Sequence, residues 1–167
     1  MFDSLTSAIT EFLYEVLGPE LCTFIVSMIP IIELRGAIPI GQGMGLGFWP
    51  CYIISVIGNM LPVPIILLFV RVVLAWMKRV KFLDKIAIWV EKKADKHSAK
   101  VTKYATWGLF LFVAIPLPGT GAWTGALGAS FLKAGFRSTT LAVSLGVILA
   151  GIIMTALSAL GLHLFGY

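Results

Sequence analysis

Charged residues are scarce in this sequence. Lys, Arg, Asp and Glu make up 13% of the 167 residues, whereas 59% are hydrophobic and the mean hydropathy is +0.96. Soluble domains carry about a quarter charged residues, so the shortage excludes an ordinary soluble domain and favours an all-α integral membrane protein. A spanning helix needs about 20 apolar residues to cross a hydrocarbon core of about 30 Å. The chain has room for few crossings, and we expect one membrane domain, residues 1–167.

Cysteine and histidine are almost absent. Cys22 and Cys51 stand alone, far from other cysteines or a paired histidine, which excludes a zinc site or a disulfide framework. We expect both to be buried free thiols. The two histidines, His97 and His163, lie in a charged segment and near the C-terminal end, an arrangement that offers no hydrolase triad. We therefore expect no catalytic residue, metal or bound cofactor, and predict that the protein is not an enzyme.

The first twenty residues contain no Lys or Arg, which excludes the basic start of a signal peptide. Ten of the thirteen Lys and Arg lie between Arg71 and Lys103, and the formal net charge is +5. A basic block between apolar segments is typical of a cytoplasmic loop against anionic lipid head groups. We therefore expect residues 78–103 on the cytoplasmic face of the plasma membrane, with the bilayer rather than nucleic acid as the partner.

Two apolar segments are long enough to span a membrane. Residues 48–76 would extend about 43 Å as a helix, with a proline kink at Pro62–Pro64. Residues 139–165 contain no Lys, Arg, Asp or Glu. Residues 4–17 and 81–104 instead place apolar residues on one helical face only, and such amphipathic helices lie in the membrane interface.

Two further apolar segments, residues 20–47 and 107–132, are interrupted. If residues 107–132 crossed the membrane, Lys133 and Arg137 would face the side opposite the lysine-rich loop, against the positive-inside tendency. We therefore predict two re-entrant hairpins with tips buried in protein or lining a cavity, and full crossings are the alternative. This topology places both termini outside the cell. The residues expected at the tips are Pro30, Pro39, Pro116, Pro118 and Gly119.

The two halves of the chain resemble each other. Residues 1–77 and 78–167 each contain an amphipathic helix, a hairpin and one span. The tips read IPIIELRGA and IPLPGTGA, and the spans share the short motifs SVIG and VSLG. One crossing per half makes the halves inverted repeats, whose tips would meet near the membrane midplane. Many secondary transporters build their binding site in this way.

Glu33 and Arg35 are charges inside an apolar run. Each costs about 2.5 to 3.5 kcal/mol at the bilayer centre on insertion scales, so both need partners or water. Residues two apart on a regular helix do not face each other. We expect the helix to break at Gly36 and Pro39, which would turn both side chains into one cavity. Either the pair is a local salt bridge that fixes the tip, or Arg35 binds an anion while Glu33 exchanges a proton.

The second hairpin supplies neutral groups. Thr120 is placed to cap a half-helix that begins at Gly121, whose free N–H groups suit an anion. Trp123, Thr124 and Asn59 are candidates to line the same cavity. Each has a structural alternative, in which Trp123 anchors packing, Thr124 bonds its own backbone and Asn59 supports the proline kink.

The motifs PIIELRGAIPIG and AIPLPGTGAWTGAL together resemble those of the small multidrug export proteins, over nearly the whole chain. The facing re-entrant hairpins are similar to the larger DedA, or VTT, superfamily, whose members are associated with moving lipids, including undecaprenyl phosphate in bacteria. The resemblance implies that Glu33 and Arg35 match the acidic and arginine positions of the first hairpin. The second hairpin differs, because it has Thr120 and Thr124 where the DedA pattern often has a further arginine.

Three functional hypotheses follow. The first is ion-coupled translocation of an anionic amphiphile, such as a polyprenyl-phosphate lipid, with Arg35 binding phosphate and Glu33 coupling to protons. The second, which the family name implies, is proton-coupled efflux of small cationic drugs, although Arg35 opposes a cation. The third is a membrane assembly protein without transport. Two hairpins and two spans barely enclose a cavity, so the small chain favours a homodimer.

Overall fold

The computed structural model describes residues 18–77, 98–117, 119–131 and 135–164, and every regular element in these ranges is an α-helix. The prediction of an all-α protein is therefore confirmed for this part of the chain. The predicted helix over residues 4–17, and that over 81–104 up to residue 97, lie outside the described residues. The helices are α1 (residues 18–28), α2 (Glu33–Gly43), α3 (Phe48–Met60), α4 (Pro62–Met77), α5 (Ser98–Ala114), α6 (Ala122–Phe131) and α7 (Phe136–Leu164).

Two stretches, Phe48–Val70 and Phe136–Gly161, are long and apolar enough to cross a membrane, and they match the two predicted spans. The first is interrupted between α3 and α4 at Leu61, whose N–H still bonds Ile57 O at 3.1 Å. Pro62, which follows, has no N–H to continue the helical hydrogen bonds. The interruption therefore lies next to Pro62–Pro64, and the kink predicted there stays a prediction.

Several polar side chains are buried beside the apolar core, and many large apolar side chains are exposed, unlike in a soluble protein. Within the described ranges, the buried polar set is Thr23, Ser27, Glu33, Ser55, Asn59, Ser130, Thr139 and Thr155. Among the exposed apolar side chains are Ile57, Ile65, Phe69, Leu141 and Leu160. Exposed Trp49 and Trp76 lie near the two ends of the first apolar stretch, as interfacial tryptophans do. This distribution fits a lipid environment.

The chain forms two compact units. The first unit comprises Met1–Leu61 with Ile148–Tyr167, and the second comprises Pro62–Val147. In the first unit, α1 and α2 pack around Cys22, Val26 and Ala37. Gly41 of α2 lies where three helices meet, because a Cβ there would be 2.7 Å from Thr23 Oγ1 of α1 and 2.8 Å from Cys51 Sγ of α3.

Gly58 is the closest contact between α1 and α3. An added Cβ would lie 2.6 Å from Phe24 O and would collide with Ser27 Oγ. The C-terminal half of α7 packs on the opposite end of α3, where Tyr52 donates a hydrogen bond of 3.3 Å to Ile148 O. A Cβ on Gly151 would lie 2.8 Å from the Tyr52 ring. Glycines thus permit the close helix packing of the first unit.

In the second unit, α6 packs against α4 and α5. Val113 of α5 contacts both α6 and α7. A Cβ added to Gly125 of α6 or to Gly146 of α7 would lie 2.7 Å from the Val113 side chain. α5 runs without interruption from Ser98 to Ala114. The predicted boundary between an interfacial helix ending at residue 104 and a hairpin beginning at 107 is therefore wrong, since no helix breaker separates the two segments.

Candidate functional site

The first interrupted segment breaks at residues 29–32, between α1 and α2. Ile31 and Glu33 have φ angles of +80° and +51°, in the left-handed region that non-glycine residues rarely adopt. Contrary to the prediction, the helix does not break at Gly36 and Pro39, because α2 continues through both to Gly43. Pro39 lacks an N–H and thereby frees the Arg35 carbonyl, but its ring is accommodated within the helix.

This break brings the two charged side chains together. Arg35 Nη1 donates a hydrogen bond of 3.3 Å to Glu33 Oε2, the one ion pair within the described ranges. Because Glu33 has a left-handed φ, its Cα–Cβ bond departs from the regular helical direction, and this permits contact with a residue two positions later. Glu33 is 4% exposed and the Arg35 side chain 17%. The predicted salt bridge therefore exists, in a largely buried place.

Helix α2 adds its own electrostatic effect at this position. Glu33 is the first residue of α2, and Ile32 before it provides no side-chain cap. The positive end of a helix dipole stabilises a negative charge in the first turn, although the N–H of Glu33 itself already donates to Ile29 O at 3.0 Å. Gly36, in the same turn, donates its N–H to Ile32 O at 3.0 Å. The site thus combines a carboxylate, a guanidinium and a helix N-terminus.

Ile31→Gly should stabilise the protein. A β-branched residue at φ +80° is strained by about 1 to 3 kcal/mol, and glycine relieves that strain. Little packing is lost, since Ile31 is 81% exposed. We expect unfolding in detergent to become less favourable by about 1 kcal/mol. Ile32→Gly is the control and should destabilise, because Ile32 has φ −76° and packs on the Cys22 cluster. A melting temperature of Ile31→Gly below that of the wild type would show that Ile31 is not strained.

Asn59 lies in the same unit, on α3, and is 1% exposed. Both polar atoms of its side-chain amide lack a hydrogen-bond partner among the described residues, and Ser55 Oγ one turn earlier has only the Cys51 thiol. Sequence reasoning selected Asn59 but missed Ser55, which is fully buried on the same face. The signal that it missed is the spacing of four residues, which aligns two polar side chains on one side of an apolar helix.

The second interrupted segment breaks where the sequence predicts, since α5 ends at Ala114 and α6 begins at Ala122. Thr120 Oγ1 lies 2.8 Å from Ile115 O and 3.0 Å from Leu117 O, so its hydroxyl binds carbonyls at the end of α5. The capping of α6 by Thr120 stays a prediction. Gly121 is buried, and its carbonyl accepts a hydrogen bond of 3.3 Å from Thr124, as the structural alternative for Thr124 requires.

The remaining tip residues differ in exposure. Pro30 and Pro39 are exposed, Pro116 is half-buried, and Pro118 lies outside the described residues. Gly119 is exposed and has φ +81°, a conformation that glycine adopts readily. The Trp123 side chain is half-buried, so its role in lining a cavity stays a prediction. The meeting of the two hairpin tips near the membrane midplane also stays a prediction.

The fold and this site define a helical membrane protein that holds a buried ion pair at a helix break. The chain belongs to the family described as "Putative small multi-drug export protein", whose family model matches residues 33–153, more than half of the chain. The family predicted from the two motifs is thereby confirmed, and its description suggests a transporter rather than an enzyme. The resemblance to the DedA superfamily stays a prediction. No curated protein and no solved structure matches the chain.

Proposed function

We propose that the protein translocates an anionic amphiphile, such as a polyprenyl-phosphate lipid, across the bilayer together with protons. The observation that supports this proposal is the Arg35–Glu33 contact of 3.3 Å at the start of α2. Arg35 presents a guanidinium, which suits the oxygens of a phosphate group. The N-terminus of α2 in the same turn favours a negative charge.

Charge balance links the anion to a proton. With both groups ionised, the Glu33–Arg35 pair is neutral, and an anion that binds Arg35 would leave a net negative charge in a poorly hydrated place. Protonation of Glu33 removes that excess, because the neutral carboxyl group no longer competes for Arg35. A buried charge without compensation costs several kcal/mol, so anion and proton should bind together. We therefore propose a proton gradient, rather than a bound cofactor, as the driving force.

The family description favours a second candidate, the export of small cationic compounds. In that mechanism Glu33 binds a cation or a proton alternately, and Arg35 competes with the cation for the carboxylate. The first proposal uses both charges of the pair, whereas the second needs only the acid. This difference makes Arg35 the residue that separates the two functions.

Arg35→Gln should lower translocation of an anionic lipid while cation efflux persists. A charge-assisted hydrogen bond contributes about 1.5 to 3 kcal/mol, so we expect a loss of at least about tenfold. The measurement is translocation of a labelled polyprenyl phosphate in proteoliposomes, beside efflux of a fluorescent cation. Arg137→Gln, which changes an exposed arginine, is the matched control. Lipid translocation at the wild-type rate in Arg35→Gln would exclude the first mechanism, and neither activity in the wild type would favour an assembly protein.

We also propose a plasma-membrane location, with residues 78–103 on the cytoplasmic face and both termini outside, and a homodimer as the functional form. A cysteine added after Tyr167 should then react with an impermeant maleimide in intact cells, in a chain whose Cys22 and Cys51 are replaced. Labelling only after lysis would place the C-terminus in the cytoplasm and would support four full crossings. Cross-linking in native membranes tests the dimer.

A further inference from the structure

We propose that Ser27, Ser55 and Asn59 form a hydrated path that carries protons to Glu33 through bound water molecules, here called the polar seam. The inference rests on the proposed role of Glu33 in proton coupling. It adds a route for the proton and assigns to Ser27 and Ser55 a role that the transport proposal does not require.

The first step is the unsatisfied hydrogen-bonding capacity of α3. Ser55 and Asn59 are 0% and 1% exposed and lie one turn apart on one helical face. Asn59 Oδ1 and Nδ2 have no hydrogen-bond partner among the described residues, and the Ser55 hydroxyl has none there beyond the Cys51 thiol. Buried polar groups in proteins almost always find a partner, and ordered water supplies it where protein atoms do not. The two amide atoms of Asn59 therefore require a ligand, and the Ser55 oxygen keeps a lone pair that can accept a hydrogen bond from it.

The second step is the position of the seam along the helices. α2 and α3 pack together and are joined by residues 44–47, so they run antiparallel. Cys51 Sγ donates to Ile38 O at 3.4 Å, which sets their register. At about 1.5 Å per residue, Glu33 lies about 7.5 Å along the α2 axis from Ile38. In the same direction along the α3 axis, Ser55 lies about 6 Å and Asn59 about 12 Å from Cys51. The level of Glu33 thus falls between the two polar side chains of α3.

Helix α1 closes the other side of the seam. Gly58, between Ser55 and Asn59 on the same face of α3, is where α1 approaches at Phe24 and Ser27. Ser27 Oγ donates to Phe24 O at 2.7 Å, which leaves its oxygen lone pairs able to accept from a water molecule. Polar atoms from two helices therefore converge near the break that holds Glu33.

The third step is a comparison with the other half of the chain. Each tip motif begins with Ile-Pro, at Pro30 and at Pro116, and the span motifs are SVIG and VSLG. Aligned on these motifs, three buried polar residues of the first half correspond to three buried valines of the second. The pairs are Ser27 and Val113, Ser55 and Val143, and Asn59 and Val147. Valine therefore packs well at these positions, and packing does not explain the polar residues.

The Glu33 carboxylate, like the three polar residues, is present in the first half of the chain and has no counterpart in the second. Counted from the tip prolines, Glu33 corresponds to Gly119, so the half without the acid is also the half without the seam. Both residues have a positive φ. One contact in each half supports the alignment. In each, the glycine that ends the SVIG or VSLG motif approaches the backbone carbonyl of a phenylalanine. Gly58 approaches Phe24 O, and Gly146 approaches Phe110 O. The polar residues thus accompany the group that exchanges protons.

The fourth step is the choice of water as the ligand. Groups with at most 1% exposure are reached only by a very small molecule, which excludes a lipid head group. A metal cation would satisfy the oxygens of Ser55 and Asn59 but would leave the amide N–H groups without an acceptor. Water both donates and accepts, and typically makes about three hydrogen bonds in such sites. A file of water molecules also conducts protons, which dry valines cannot do.

The test exchanges the seam for the residues of the second half, in the double variant Ser55→Val/Asn59→Val. Full-length protein in nanodiscs is subjected to a pH jump, and infrared absorption of the protonated carboxyl group is followed in time. The Glu33 band is the one that Glu33→Gln removes. Thr155→Val is the matched control, because this buried hydroxyl already bonds Gly151 O at 2.7 Å.

We expect Glu33 to protonate at least about tenfold more slowly in the double variant and at the wild-type rate in Thr155→Val. A rate in the double variant within a factor of about two of wild type would overturn the seam and leave the transport proposal intact. Absence of any Glu33 band across the pH range would overturn proton coupling and the seam together. Should the double variant not fold, Ser55→Ala, a smaller change, should still slow protonation measurably, and an unchanged rate in it would overturn the seam.

Discussion

Glu33→Gln should reduce transport of both anionic and cationic substrates to background. The carboxylate is 4% exposed and accepts a hydrogen bond from Arg35, so the change removes the proton-exchanging group and the counter-charge of the guanidinium together. Glutamine preserves the shape of the side chain, and the effect is therefore one of charge. We expect a loss of at least about 100-fold in proteoliposome transport, equivalent to about 2.7 kcal/mol.

The controls for Glu33→Gln separate transport from folding. Glu20→Gln changes an exposed glutamate of α1 in the same unit and should leave transport unchanged. Removing one partner of a buried ion pair costs about 3 to 5 kcal/mol of stability, so the melting temperature must be measured alongside transport. The double variant Glu33→Gln/Arg35→Gln removes both charges and should recover stability without recovering transport. Full lipid transport in folded Glu33→Gln would contradict proton coupling through this residue.

The sequence was sufficient to predict the helical class, both spans and the second helix break. Prolines and glycines mark that break, since Pro116 and Gly119 lie between α5 and α6. For the first break the sequence predicts Pro30, which does lie in it, and also Gly36 and Pro39, which are helical. The actual break uses Ile31 and Glu33 with left-handed φ angles, and neither residue type favours that conformation. Local propensity therefore locates the break only in part, and the packing of α1 against α2 determines which residues are strained.

The pairing of Glu33 with Arg35 was predicted for an incorrect reason. The prediction required a helix break after Arg35. In the structure α2 is unbroken there, and the left-handed φ of Glu33, the first residue of α2, turns its side chain toward Arg35. The polar face of α3 was only partly predicted, because a serine in an apolar helix usually bonds its own backbone and carries no signal by itself. The burial of Ser55 and the missing partners of Asn59 become visible only in three dimensions. Side-chain surroundings are thus the part that sequence patterns do not contain.

Gly58→Ala should strongly destabilise the first unit. A Cβ at this position would lie 2.6 Å from Phe24 O and would collide with Ser27 Oγ. The serine side chain can rotate away, but the carbonyl belongs to the backbone of α1, so the helices must separate. Overpacking a tight contact costs about 1 to 3 kcal/mol, and we expect the upper end of this range despite the better helix propensity of alanine. The measurement is the free energy of unfolding in detergent.

Gly43→Ala provides the matched control, because nothing lies within 4 Å of its added Cβ and alanine favours the helix by about 0.5 to 1 kcal/mol. Ser27→Ala combined with Gly58→Ala should restore only part of the stability, since the contact with Phe24 O remains.

Gly146→Ala extends the test to the second unit, where the Cβ would lie 3.0 Å from Phe110 O. Destabilisation of similar origin but smaller size there would support the two halves as repeats of one packing design. Stability in Gly58→Ala equal to wild type would mean that α1 and α3 are farther apart than the seam requires.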